Sequence, residues 1–143
     1  MKYLGIDYGK RKTGLAMSDS AGLVAIPHTT VETSELLNTV LALIEIDSVE
    51  ALVVGESRNL DGSFNPIDAE IKQFVAELQQ VATIPVDYVD ERFTSTAARV
   101  GVFSTIRREK KDSRSKKIKH HDVDAAAAAM ILQSFLDHKD SRI

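Results

Sequence analysis

The chain has no cysteine and no tryptophan, and its aromatic residues are five Phe and three Tyr. Without cysteine, disulfides and thiolate metal sites are excluded, and any metal must be held by oxygen or nitrogen. A reducing compartment suits such a chain. With so few rings, base readout by stacking on aromatic side chains has little to work with. Only Tyr8 and Phe93 fall near the ligand-facing rim deduced below, and Phe74, Phe103 and Phe135 read as core. No apolar run reaches the roughly 18 residues of a membrane span. Met1-Lys2-Tyr3 leads straight into a strand, without the apolar segment of a signal peptide. The expectation is one soluble, cytoplasmic domain over residues 1–143, a monomer or weak dimer with no membrane contact.

Charge is present in both signs but unevenly placed. The net charge is -3. Between Arg107 and His121 stand eight basic residues (Arg107, Arg108, Lys110, Lys111, Arg114, Lys116, Lys117 and Lys119) against the acids Glu109 and Asp112. That segment carries +6, which leaves -9 on the rest of a chain whose total is -3. An acidic body with one basic arm points to a polyanionic partner met through the arm, which is to say nucleic acid. Low apolar content over 106–119 predicts a flexible basic loop there.

Hydrophobic periodicity supplies the elements. Tyr3–Tyr8 and Thr13–Ser18 read as strands around the polar turn Gly9-Lys10-Arg11-Lys12. A third strand covers Leu23–Val31, with Pro27 favouring an edge or bulge. These three, joined by short turns, predict an antiparallel meander. Ser34 is placed to cap a helix running to Ile46. Ala51–Val54 is a short apolar strand of the parallel, buried kind. Asp61-Gly62 marks a loop over Asn59–Pro66. Ile67, Ile71, Phe74, Val75 and Leu78 form the stripe of a second helix, and Pro85–Val89 is the fifth strand. Thr94 is placed to cap a further helix fading near Thr105. The last helix is expected from Asp122 to Asp137, with Val123, Ala127, Met130, Ile131 and Ser134 on one face. The result is an α/β fold. Its mixed five-stranded sheet combines the meander with two parallel strands and carries helices on both faces.

In such sheets ligands gather beyond the carboxyl ends of the parallel strands. Asp7 ends the first strand in Leu4-Gly5-Ile6-Asp7-Tyr8-Gly9. Gly55-Glu56 ends the fourth, and Asp90-Glu91-Arg92 ends the fifth. Asp124 opens the last helix. Asp7, Glu91 and Asp124, on separate elements able to converge, are what a hard divalent metal needs. Asp122 and Asp124 are two apart, about 200° around a helix, so both do not face one metal. Asp122 reads as the N-cap. His121, three residues before Asp124, can share its face as a phosphate contact or proton shuttle. Lys10, Arg11, Lys12 and Arg92 border the rim and suit phosphate contacts, which position a backbone without reading its sequence. Glu91 could instead pair with Arg92.

These segments resemble the YqgF family, also called RuvX-like, of the RNase H-like superfamily. The resemblance rests on Gly5-Ile6-Asp7-Tyr8-Gly9-Lys10-Arg11 with Thr13-Gly14-Leu15-Ala16, and on Val53-Val54-Gly55 with Asn59-Leu60-Asp61-Gly62-Ser63. It rests too on Asp90-Glu91-Arg92-Phe93-Thr94-Ser95 and on Val123-Asp124-Ala125 through Ala128 with Ile131-Leu132-Gln133-Ser134-Phe135-Leu136. One departure is Glu56-Ser57-Arg58, where the family has an apolar residue and a proline. Glu56 thereby becomes an alternative second acid, with Asp90 a further candidate. The resemblance implies a divalent-metal nuclease with two Mg²⁺ or Mn²⁺ ions, Asp7 bridging and Glu91 and Asp124 each completing one coordination sphere. It implies 5′ processing of ribosomal RNA precursor. A Holliday junction resolvase-like DNA endonuclease, or a catalytically silent RNA-binding protein of the same fold, stays open.

Overall fold

The structure is a computed structural model. It describes residues 1–56, 66–90 and 120–139, with side chains in the last stretch from 123 onward. Five strands form one sheet: β1 (Tyr3–Asp7), β2 (Lys12–Ser18), β3 (Ala25–Glu32), β4 (Ala51–Glu56) and β5 (Val86–Asp90). Their order is β3-β2-β1-β4-β5. The β1–β2 and β2–β3 pairs are antiparallel, whereas β1–β4 and β4–β5 are parallel. The meander and the parallel half are those expected, and β3 is the edge strand that carries Pro27. The β2–β3 register shifts between Leu15 and Ala16, where Leu15 pairs with Thr29 and Ala16 with Pro27. A bulge there accommodates a residue with no N–H to donate.

Strand periodicity divides the core in two. Leu4 and Ile6 of β1, Leu15 of β2 and Leu52 and Val54 of β4 point to one face. There they meet α1 (Leu36–Ile46) through Leu36, Val40 and Leu43, and α2 (Ile67–Val81) through Ile71, Phe74, Val75 and Leu78. The opposite face presents Ala16 and Val53 to α3 (His120–Lys139), which lies across β1, β2 and β3. Gly5 is where that helix comes nearest β1: a Cβ added there would stand 2.7 Å from Leu132 Cβ and 3.0 Å from the Ala128 carbonyl oxygen. Tyr3 closes the far end edge-on against Phe135, with ring centroids 5.5 Å apart. Gln133 ties α3 to the edge, accepting from the Ala25 N–H at 2.8 Å and donating to the Leu23 carbonyl at 3.0 Å.

Three expectations about helices differ from the structure. Ser34 does not cap α1; it lies in a 3-10 turn (Thr33–Glu35), and the Glu35 cap position makes no side-chain bond. Helix α3 begins at His120, so Asp122 lies inside the helix and is not its N-cap. Of the face expected, Ile131 is buried, but Val123, Ala127, Met130 and Ser134 are only partly so, and the buried face is made by Ala125, Ala128, Ala129, Ile131, Leu132, Phe135 and Leu136. Alanine is apolar on every side of the helix, so periodicity alone gives this segment no direction. The α2 stripe is as expected, with Asp68 added. Asp68 is buried, and among the described residues neither of its carboxylate oxygens has a hydrogen-bond partner; it stands in the first turn of α2, where the helix dipole favours an acid. The helix expected from Thr94, Phe103, and the basic segment 106–119 lie outside the described residues. Among the described residues no helix is long and apolar enough to cross a membrane.

Candidate active site

Side chains alternate along a strand, so the parity of Tyr3 and Gly5 carries Asp7 to the α3 face of β1. Directly across the antiparallel ladder, Asp7 pairs with Gly14 of β2. Gly14 is fully enclosed because the backbone of α3 passes over it at Asp124; a Cβ on Gly14 would collide with the Asp124 carbonyl and crowd the Ala125 N. Asp124, in the second turn of α3, therefore has its backbone over the register partner of Asp7, on the α3 side of the sheet. A glycine at that position leaves room for the helix to approach. Asp7 and Asp124 are both half-buried.

The same parity sends Glu56 the other way. Glu56 follows Leu52 and Val54 on β4 and faces α2, where Lys72 Nζ stands 3.9 Å from its Oε2. Lys72 also lies 3.3 Å from the centroid of the Tyr88 ring. Asp90 is the register partner of Glu56 and shares the parity of Val86 and Tyr88, which pack on the α1–α2 side. The structure thus groups Glu56 and Asp90 on the α2 face, away from the Asp7–Asp124 pair. Burial, and then the neighbouring Glu56 charge, push the Tyr88 phenol above the ordinary tyrosine range. Tyr8 is likewise turned to the α1–α2 side, tilted over Phe74 with centroids 6.2 Å apart. Burial, followed by Glu70 and Glu77, raises its pKa.

The β1–β2 turn projects Lys10, Arg11 and Lys12 into solvent immediately beyond Asp7. Its backbone is tightly made, since a Cβ on Gly9 would strike the Lys12 carbonyl. Thr13 is completely buried and accepts from the Gly9 N–H at 3.3 Å. Thr13 and Gly14 belong to a segment that carries the family resemblance, but nothing in the sequence assigned them a role in the site, and nothing marked Thr33 at all. Glu91, Arg92, Arg107, Arg108, Lys110, Lys111, Arg114, Lys116, Lys117 and Lys119 lie outside the described residues, as does the side chain of His121. Among the described residues no group of three or more His, Cys, Asp or Glu comes together in a metal-holding arrangement. In donor chemistry Asp7 and Asp124 suit a hard divalent cation, which takes one or two protein carboxylates and keeps waters for its remaining positions.

A mixed five-stranded sheet, antiparallel through β3-β2-β1 and parallel through β1-β4-β5, with one helix crossing the meander, is the RNase H-like fold of junction resolvases. Thermus thermophilus RuvC in complex with a Holliday junction superposes with a TM-score of 0.60 at 18% identity, covering 97% of this chain and 96% of that one. The Fowlpox virus resolvase, solved with Holliday junction DNA, gives 0.61 at 14% identity, covering 97% and 99%. The sequence goes further than the fold. The model of the RuvX family, described as Holliday junction resolvase, matches residues 1–138, and the chain belongs to that family. A protein of Phocaeicola vulgatus named "Putative pre-16S rRNA nuclease" is 37% identical over 139 residues, 96% of each chain. One of the same name from Roseiflexus sp. is 36% identical over 140 residues, covering 95% of this chain and 94% of its own.

Proposed function

We propose that the chain is a divalent-metal-dependent nuclease that hydrolyses phosphodiester bonds in structured nucleic acid in the cytoplasm, and that its substrate is the 5′ region of a ribosomal RNA precursor. The observation that supports this reading is the approach of the α3 backbone at Asp124 to Gly14, the register partner of Asp7 at the carboxyl end of β1. Asp7, Asp124 and Glu91 would hold Mg²⁺ or Mn²⁺, which would supply an activated water and charge relief at phosphorus. The chain's own work is placement. The backbone of Asp7 is fixed by the ladder to β2 and that of Asp124 by the contact of α3 with Gly14, so both acids start from anchored positions. Lys10, Arg11 and Lys12 engage phosphates on the side of the hairpin, and Arg92 with the basic run from Arg107 to Lys119 extends that contact along the polyanion. His121 contacts phosphate or moves a proton. Water adds to phosphorus and the bridging oxygen leaves with a proton, giving one phosphate monoester and one hydroxyl end.

The RuvX description and the two junction-resolving neighbours favour a second reading, a DNA endonuclease acting on four-way junctions. Cleavage of a pre-16S 5′ fragment and of a four-way DNA junction, side by side in Mg²⁺, separates the two. The proposal expects the RNA to be cut at least tenfold faster. Preference for the junction transfers the site to the second reading. Binding of both substrates with cleavage of neither would mark a silent RNA-binding protein.

A further inference from the structure

Two threonines close a ring of hydrogen bonds around the peptide of Gly9. The Thr33 hydroxyl donates to the Gly9 carbonyl at 2.7 Å. Its single proton is then committed, so the 2.9 Å contact between Thr33 Oγ1 and Thr13 Oγ1 has Thr13 as its donor. Thr13 Oγ1 in turn accepts from the Gly9 N–H at 3.3 Å. Both backbone polar groups of Gly9 are thus satisfied by side chains from two other segments. Thr33 makes one contact more, its own N–H donating to the Arg11 carbonyl at 2.8 Å. A residue of the 3-10 turn beyond the edge strand therefore holds the carbonyls of Gly9 and Arg11, two positions of the hairpin that carries Lys10, Arg11 and Lys12.

A four-residue polar turn with three like charges at its tip has every electrostatic reason to splay. Here it is clamped two residues from Asp7, at the rim where the backbone of a polyanion would lie. We infer that Thr33, acting with Thr13, is a positioning residue that presets the Lys10–Lys12 hairpin as a phosphate cradle, so that binding does not have to order it. Preorganisation of this kind appears as affinity, because less conformational freedom is lost on association. The inference rests on the proposed reading of the site as one that meets nucleic acid.

The test compares wild type, Thr33→Val and Thr33→Ser. Valine keeps the shape and the backbone bond to Arg11 and removes only the hydroxyl; serine restores it. Two quantities are read: amide hydrogen exchange at Gly9, and the Kd for a labelled RNA hairpin by fluorescence anisotropy in EDTA, where no cleavage competes. Thr33→Val is expected to speed Gly9 exchange about three- to tenfold, the loss of about one hydrogen bond, and to weaken RNA binding by a similar factor. Thr33→Ser returns both to wild type. Unchanged exchange at Gly9 overturns the clamp. Faster exchange with unchanged Kd overturns the cradle, as does a serine variant that behaves like valine. A wild type that binds no RNA hairpin removes the reading of the site and this inference with it, and is told apart by failing before any substitution is made.

Discussion

The α-carbon of Gly14 lies against the backbone carbonyl of Asp124, so the helix that brings one acid to the rim rests on the residue paired with the other, Asp7. That contact tolerates no side chain. Gly14→Ala must displace either β2 or the start of α3. The expected cost is about 1–3 kcal/mol of stability, the usual range for overpacking. The expected fall in cleavage is larger, about 100-fold, because a shift of about 1 Å at a positioned group is enough for that. Urea unfolding and single-turnover cleavage of the same variant check both figures. A variant with full activity would show that the approach of α3 to β2 does not set the site.

Glu56 ends a parallel strand at the same rim and yet faces α2. Glu56→Gln should change cleavage less than about threefold. It should change stability by no more than about 1 kcal/mol, since its partner Lys72 is half-exposed and solvent screens the pair. A loss comparable with that of Asp7→Asn would place Glu56 in the metal site after all.

The strands and α2 were legible because their apolar residues recur with unambiguous period: Leu4 and Ile6, Leu52 and Val54, and Ile71 with Phe74, Val75 and Leu78. The same parity already separated Glu56 from Asp7 in principle. It could not be used, because nothing in the sequence says which face of the sheet α3 covers. That helix is alanine-rich all round, and its orientation follows from Gly5, Gly14 and Ala16 on strands far away in sequence. The caps expected at Ser34 and Asp122 failed for a related reason: each helix, or the 3-10 turn before it, starts earlier than local propensity indicates. Asp7 and Asp124 were recognisable as acids at element ends. That α3 rests on Gly14 beside Asp7, and that Thr13 and Thr33 hold the adjoining turn, are properties of packing between distant segments.

Alkaline pH should loosen the α2 face. The Tyr88 phenol ionises at higher pH in the folded chain than in the unfolded one, through burial first and then Glu56. Its contribution is therefore fully present below the unfolded tyrosine value of about 10 and is lost as pH rises through the higher folded value. Tyr88→Phe should flatten the fall in urea midpoint above about pH 10 relative to wild type. Equal slopes would show that other groups govern the alkaline limb.

Lys10, Arg11 and Lys12 are exposed at the hairpin tip, and phosphate contacts of such residues are read in the salt dependence of binding. Each alanine substitution at a true contact should lower the slope of log Kobs against log salt by about 1, with little effect on which RNA sequence is preferred. A slope unchanged in the triple variant would assign these charges to solvent.

The central claim is that Asp7 and Asp124 act on one metal centre. Single-turnover cleavage in Mg²⁺ and in Mn²⁺, measured for wild type, Asp7→Asn, Asp124→Asn and the double variant, tests it most directly. Residues that work as a unit are not additive: each single variant should lose at least about 100-fold, and the double variant should be no slower than the worse of the two. Losses that multiply in the double variant, or a single variant that cleaves at the wild-type rate, would contradict a shared site.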